Sequence, residues 1–384
     1  MKNISIILIV IAMMLTVACD KATVGNHVGK KTLAVTDIQL DSIVISGDST
    51  SFDGHFELID TSLVFVDRLY CKLFPFSIHT GKPEMPIGGH GRGPNEMIGV
   101  ISGSVISPAD TSMWILDSSN GIYQFSLKSG TIKFLSRLDF SWDKLERNNY
   151  DSPSIYNTMQ MTSFGVSMMD VGDNEVLMPV SIVNRHLDEI NSERYNKGHI
   201  FGLVDKASLK VKKVFGSKPE YYKDTPVPLF EFFDYTLNPQ DSTLFVNHAP
   251  DSLIYCYRYP DTLLYTMGFE PQGLHRDFSV VGYEINFDGF KKDIENVSFN
   301  TGLYYDTVDD LLFRTSMTDY KSGNSILQIY EGIDLVAEVR VPPFFKMLGR
   351  VNDRYYAVRF EPIETTDEKI HFILYSFDKL SISK

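Results

Sequence analysis

One pattern recurs six times along the chain and limits what it can fold into. A polar turn carrying Asp stands before a short apolar run, and a second apolar run follows. Asp60-Thr61-Ser62 precedes residues 63–66 and 69–76, and Asp110-Thr111-Ser112 precedes 113–116 and 122–127. The turn returns at Asp173, Asp241, Asp309 and Asp353, so copies lie 44 to 68 residues apart. The runs are short and rich in β-branched and aromatic residues, which suits strands. With 26 Phe and 20 Tyr in 384 residues, composition leans the same way. Repeats of this length holding several strands each are the mark of propeller blades. The pattern predicts an all-β, six-bladed β-propeller over residues 33–384. A two-sheet sandwich built from the same strands fits the regular rhythm less well. The last copy ends at Phe377 with too little chain for an outer strand. Residues 33–46 alternate like a strand, and are expected to complete the last blade and close the ring.

The N-terminus carries an address. Residues 1–18 read as a secretory signal, with Lys2 as its charge, an apolar stretch over 4–17 and the small residue Ala18 at the end. A stretch of fourteen residues falls short of the roughly 20 needed to span a bilayer. Thr16-Val17-Ala18-Cys19 resembles a bacterial lipobox, with Leu15 one place earlier than usual. The resemblance implies cleavage before Cys19, a thioether-linked diacylglyceryl group and an N-acyl chain such as palmitate. Three chains, at about 0.8 kcal/mol per buried methylene, anchor stably where one does not. Residues 19–32 are then the lipidated Cys and a polar, flexible tether. The expected location is the bacterial cell envelope, outer membrane favoured over inner, with the propeller on the periplasmic or surface side.

Removal of the signal leaves 35 basic against 49 acidic residues. So acidic a chain, without a basic stripe, is not a nucleic-acid binder. Its charge keeps a tethered protein soluble, and a monomer is expected. Beyond Cys19 only Cys71 and Cys256 remain, in the first and fourth copies. Opposite blades stand too far apart for a disulfide, whose Cα atoms must lie within about 7 Å.

The second copy is the most specific. Gly91-Arg92-Gly93-Pro94-Asn95-Glu96-Met97, then Trp114 to Phe125, resembles the NHL-type repeat. Gly91, Gly93, Pro94 and Glu96 match its first half, while Asn95 replaces a Gly and Met97 a Phe. Asp117, Asn120, Ile122 and Phe125 match the second half. With the lipobox, the chain is similar to the TolB-like six-bladed propeller lipoproteins of Bacteroidetes-type bacteria. The resemblance implies the fold, and function does not follow from fold.

Gly91, Gly93 and Pro94 are expected to shape a turn, on the face beside the channel where propellers bind ligands. Arg92 could offer its planar fork to an anion or sugar, or brace the loop against Glu96 or Asp117. Asp117 and Asn120 read as structural turn residues that cap backbone donors. Nine scattered histidines show no HExxH or HxH spacing, and no nucleophile–base pair is legible, so no catalytic residue, metal or cofactor is expected. Long insertions at 138–162, 184–197, 217–231 and 269–300 are predicted to open on the same face as the glycine-rich loop. They hold Trp142, Tyr150, Tyr156, Tyr195, Tyr221, Tyr222, Phe230, His275 and Tyr283. Arg92, Glu96, Trp142, Tyr221, Tyr222 and Phe230 are the candidate ligand-binding residues, for a glycan, a peptide or an envelope protein. The rings could equally pack the loops onto the propeller. The function predicted is a non-enzymatic, anchored binding or scaffold propeller. The alternative is a metal-dependent hydrolase or lyase at the channel.

Overall fold

A computed structural model of the chain describes residues 25–26, 31, 35–107, 112–126, 128–146, 149–159, 168–182, 192–271, 273–319, 324–364 and 370–378. Residues 1–18 and Cys19 lie outside the described residues. Six antiparallel sheets form the six blades of a propeller. Blade 1 runs Gly54–Ile59, Ser62–Asp67, Lys72–Ser77 and Ile87–Gly88, from channel to rim. Blade 2 follows with Ile101–Ser107, Ser112–Asp117, Gly121–Ser126 and Thr131–Arg137. Blades 4 and 5 begin at Phe233–Asn238 and Phe299–Asp306, and blade 6 at Phe345–Val351. Blade 3 is irregular: Tyr156–Thr158 and Met169–Gly172 both pair with Glu175–Ile182.

Five of the six recurring turns join the first and second strands of their blades, and the sixth, at Asp110, lies outside the described residues. Left-handed backbone is needed there, and Asp60, Asp173, Asn174, Ser242, Asp310 and Asn352 all have positive φ. Asx and small polar residues tolerate that region, which is why they mark the turn. The period-two pattern then sorts side chains to the two faces of each blade. In Ser112–Asp117 every residue is buried. Met113 and Ile115 pack against blade 1, while Trp114 and Leu116 pack against blade 3. Six apolar clusters fill the six gaps between neighbouring blades in this way. A blade is therefore hydrophobic on both faces, and its polar residues are left for the turns and the channel.

The ring closes as the sequence predicts. Asp41–Ser46 pairs antiparallel with Ile370–Asp378 as the outer strand of blade 6, with Ile45 opposite Phe372 and Asp41 opposite Ser376. Arg354 adds an ion pair to Asp41 across that seam. The predicted strand at 33–46 is divided, however. Val35–Asp37 pairs in parallel with Asp334–Val341 at the rim of blade 5, not with blade 6. Farther back, in the stretch read as tether, Gly25–Asn26 lies parallel to Thr262–Met267 of blade 4. Lys31 reaches the buried Glu338 of blade 5 at 3.4 Å. Open edges of blades 4 and 5 offer unpaired backbone groups, and the N-terminal segment takes them up.

Candidate binding groove on the loop-rich face

Strands alternate direction across a blade. The connection from one blade's rim to the next blade's inner strand therefore shares a face with the turn between second and third strands. Residues 89–100 make such a connection between blades 1 and 2, and so do 138–155, 218–232 and 268–298 farther on. The insertion between Glu175–Ile182 and His199–Asp205 is a second-to-third-strand connection. The described parts of all four predicted insertions open on this face; residues 147–148, 160–162, 184–191 and 272 lie outside the described residues.

The glycine-rich loop is held from within and at its base. Gly91 N–H donates to the Met97 carbonyl at 2.9 Å, and Met97 N–H to the Gly89 carbonyl at 2.8 Å. The Glu96 carboxylate folds back onto the loop, accepting Gly93 N–H at 2.6 Å. A Cβ on Gly91 would stand 2.1 Å from Glu96 Oε2, and one on Gly93 2.9 Å. Both glycines thus make room for this carboxylate. Asn95, at φ 62°, accepts Ile132 N–H at 2.8 Å and clips the loop to the rim strand of blade 2. Asp117 is buried and fully engaged. Its carboxylate accepts Gly99, Ser119 and Gly121 N–H and the Tyr123 hydroxyl. Asn120, also at positive φ, accepts the Thr158 hydroxyl of blade 3. A carboxylate that takes several N–H donors substitutes for a missing turn of ladder bonding.

Between this loop and the rim strand Thr131–Arg137 lies a groove of about 430 Å³. Arg92, Glu96, Ile98, Tyr123, Phe134 and Arg137 line it. The loop lies on the face expected, but over the rim of blade 2 rather than at the channel mouth, because Asn95 fastens it to the outermost strand. Glu96, not Arg92, braces it. Among the described residues neither the Arg92 nor the Arg137 guanidinium makes an ion pair or a hydrogen bond, and both residues are exposed. Phe134 is 51% and Ile98 50% exposed, and Phe134 meets Tyr123 edge-on with centroids 5.3 Å apart. Arg137 and Phe134 lie at the rim end of blade 2, where sequence reasoning gave them no role. The signal for them was tertiary.

The aromatic insertions tell a different story. Tyr222 and Phe230 are buried, with Tyr195, Phe278 and Phe299, in one cluster above blades 3 to 6. The Tyr222 hydroxyl donates to the Phe230 carbonyl at 2.8 Å, and Phe230 meets Phe278 and Phe290 at 4.9 and 5.1 Å. These two rings pack the loops onto the propeller and offer no surface in this arrangement. Long aromatic-rich loops gathered on one face bury their rings against one another, which accounts for the outcome. Tyr221 is half-buried against Tyr222. Trp142 remains partly exposed, stacked 5.2 Å from Phe140, with its Nε1–H donating to the Tyr156 carbonyl.

Two polar clusters sit on the inner strands. His55 Nε2 lies 2.7 Å from Ser104 Oγ, whose hydroxyl donates to Glu57 at 3.0 Å, joining blades 1 and 2. Lys346 of blade 6 pairs with Asp234 of blade 4 at 3.4 Å, and burial raises the Asp234 carboxyl pKa. Among the described residues, no three His, Cys, Asp or Glu side chains gather into a metal-binding group. His90 is exposed at the base of the glycine-rich loop. His248 is buried among Tyr222, Phe233 and Tyr255, and burial with nearby Lys218 lowers its pKa to about 3. Cys71 and Cys256 are both free and buried, and burial pushes the Cys71 thiol up to about 11.

Among solved structures, the chain resembles a member of the DUF4221 family from Bacteroides vulgatus, with a TM-score of 0.63 over 90% of this chain and 98% of that one, at 11% identity. It also resembles a protein of Bacteroides fragilis described as exported, with a TM-score of 0.54 over 92% and 99%, at 14% identity. No protein-family model matches the chain, and no curated protein matches it by sequence. Likeness at these identities establishes the propeller fold.

Proposed function

We propose that the protein is a membrane-anchored, non-enzymatic binding or scaffold propeller of the bacterial cell envelope, engaging its ligand or partner on the loop-rich face. The observation that carries this reading is the groove of about 430 Å³ under the glycine-rich loop. Its size falls within the range of ligand pockets, roughly 300–1,000 Å³. A loop pinned by Glu96, Asn95 and Asp117 is also pre-organised, which lowers the entropic cost of binding. The lipobox-like Cys19 and the exported description of one similar protein support the address. The NHL-type match in blade 2 and the likeness to TolB-like lipoproteins fit the same role.

A photo-crosslinking residue at Ile98, introduced in intact cells, tests the binding face. The expected result is a discrete adduct at Ile98 and none at Val44, which is exposed on the ring-closing strand. Equal labelling at both positions, or none at Ile98, would count against the reading. For the anchor, Cys19→Ser should move the protein from the membrane fraction to the soluble one without unfolding it. Retention in membranes at the original level would dismiss the lipid.

A further inference from the structure

We propose that the groove takes a small anion carried on a ring with a flat apolar face, the anion held by Arg92 and Arg137 and the ring laid on Phe134. This rests on the binding reading above and names the class of ligand. The chain carries 49 acidic against 36 basic residues, so cations facing one cavity without a carboxylate partner stand out from its general charge. Elsewhere Arg68, Arg276, Arg350 and Arg354 each hold a carboxylate. Two carboxylates border the groove, and both are engaged by the protein. Asp117 is buried and takes four donors, and Glu96, an exposed residue of the groove lining, gives one carboxylate oxygen to Gly93 N–H. The groove lining therefore holds two planar guanidinium forks that no carboxylate pairs, suited to a carboxylate or sulfate. Beside them stand Phe134 and Ile98, half in solvent, with Tyr123 behind Phe134. An exposed ring next to cations binds a ligand that is apolar at one end and charged at the other. Acidic sugars and aromatic carboxylates share that chemistry.

Calorimetric titration of the purified protein with four probes decides the matter: digalacturonate, its neutral digalactose counterpart, benzoate and inorganic sulfate. At least one ring-bearing anion should bind, more tightly than both the neutral sugar and sulfate. Digalacturonate alone would mark the ligand as an acidic sugar, and benzoate alone as an aromatic acid. Arg92→Ala and Arg137→Ala should each weaken that binding at least about tenfold, the scale of one charged hydrogen bond. Phe134→Ala should weaken it several-fold, and neither arginine variant should lower the melting temperature, since neither side chain braces the fold. Equal binding of digalactose or of sulfate would overturn the assignment, as would anion binding indifferent to both arginines or no binding by any probe. The Ile98 adduct is read independently. If it forms while the anion assignment fails, the groove binds another class; if it too is absent, the binding reading fails with it.

Discussion

A single imidazole gives the sharpest residue-scale prediction. His248 is buried among aromatic rings, and neither of its nitrogens has a partner among the described residues. Its pKa falls from the ordinary 6.5 to about 3, first through burial and then through Lys218. Between those values the unfolded chain binds a proton that the folded protein refuses. Stability is therefore unaffected by this group above pH 6.5 and falls as pH drops from 6.5 toward 3, by up to about 1.4 kcal/mol per unit. His248→Phe should lose about 2 kcal/mol less than the parent between pH 7 and 5 in urea titrations. Parallel pH profiles would show that the imidazole is not sequestered. Gly91 offers a second test, because its missing Cβ makes room for Glu96. Gly91→Ala should displace that carboxylate and cost about 1 kcal/mol, the worth of one hydrogen bond. In a Glu96→Ala background the cost should vanish, and thermal melts of the four proteins complete the cycle.

At the scale of the element, Asp117 joins the turn of blade 2 to the loop arriving from blade 1. Three of its four accepted bonds are buried, so Asp117→Ala leaves several donors unsatisfied at once. A loss of about 2–4 kcal/mol is expected, larger than typical substitutions. Hydrogen exchange should speed up at Gly99, Ser119 and Gly121 before it does elsewhere, and a uniform change across the blade would contradict the local account. This element was legible beforehand. Asp117 and Asn120 stand at fixed positions in a recognisable motif, and the chemistry of a short polar side chain beside a turn is local. The loop's glycines were legible for the same reason. Which charged residue fastens the loop was not, because Arg92 and Glu96 are both within reach of it in sequence and only the folded path chooses. The insertions show the same limit: Tyr222 and Phe230 have the composition of a binding surface, yet the three loops that bury them are far apart in the chain.

At the scale of the molecule, closure depends on one short N-terminal strand. Ile45 is fully buried in the seam between blades 6 and 1, whereas its neighbour Val44 is 60% exposed. Ile45→Ala should cost about 2–5 kcal/mol, as buried aliphatic truncations do. Val44→Ala should stay within about 0.5 kcal/mol. Denaturant melts compare the two, and similar losses would mean that the seam is not packed as described. The sequence by itself determined the number of blades, their turns and the origin of the closing strand. Those features rest on local preferences: positive φ at small polar residues, and a period of two along each strand. It also determined that Cys71 and Cys256 stay apart, since the repeat register places them on opposite blades. Only the tertiary structure decided that the N-terminal segment runs along the rims of blades 4 and 5 before it closes blade 6. It alone brought Arg137 and Phe134 to the glycine-rich loop some forty residues earlier. Edges and grooves are made by neighbours in space, and pairing energy is indifferent to the length of chain between the partners once the loop entropy has been met.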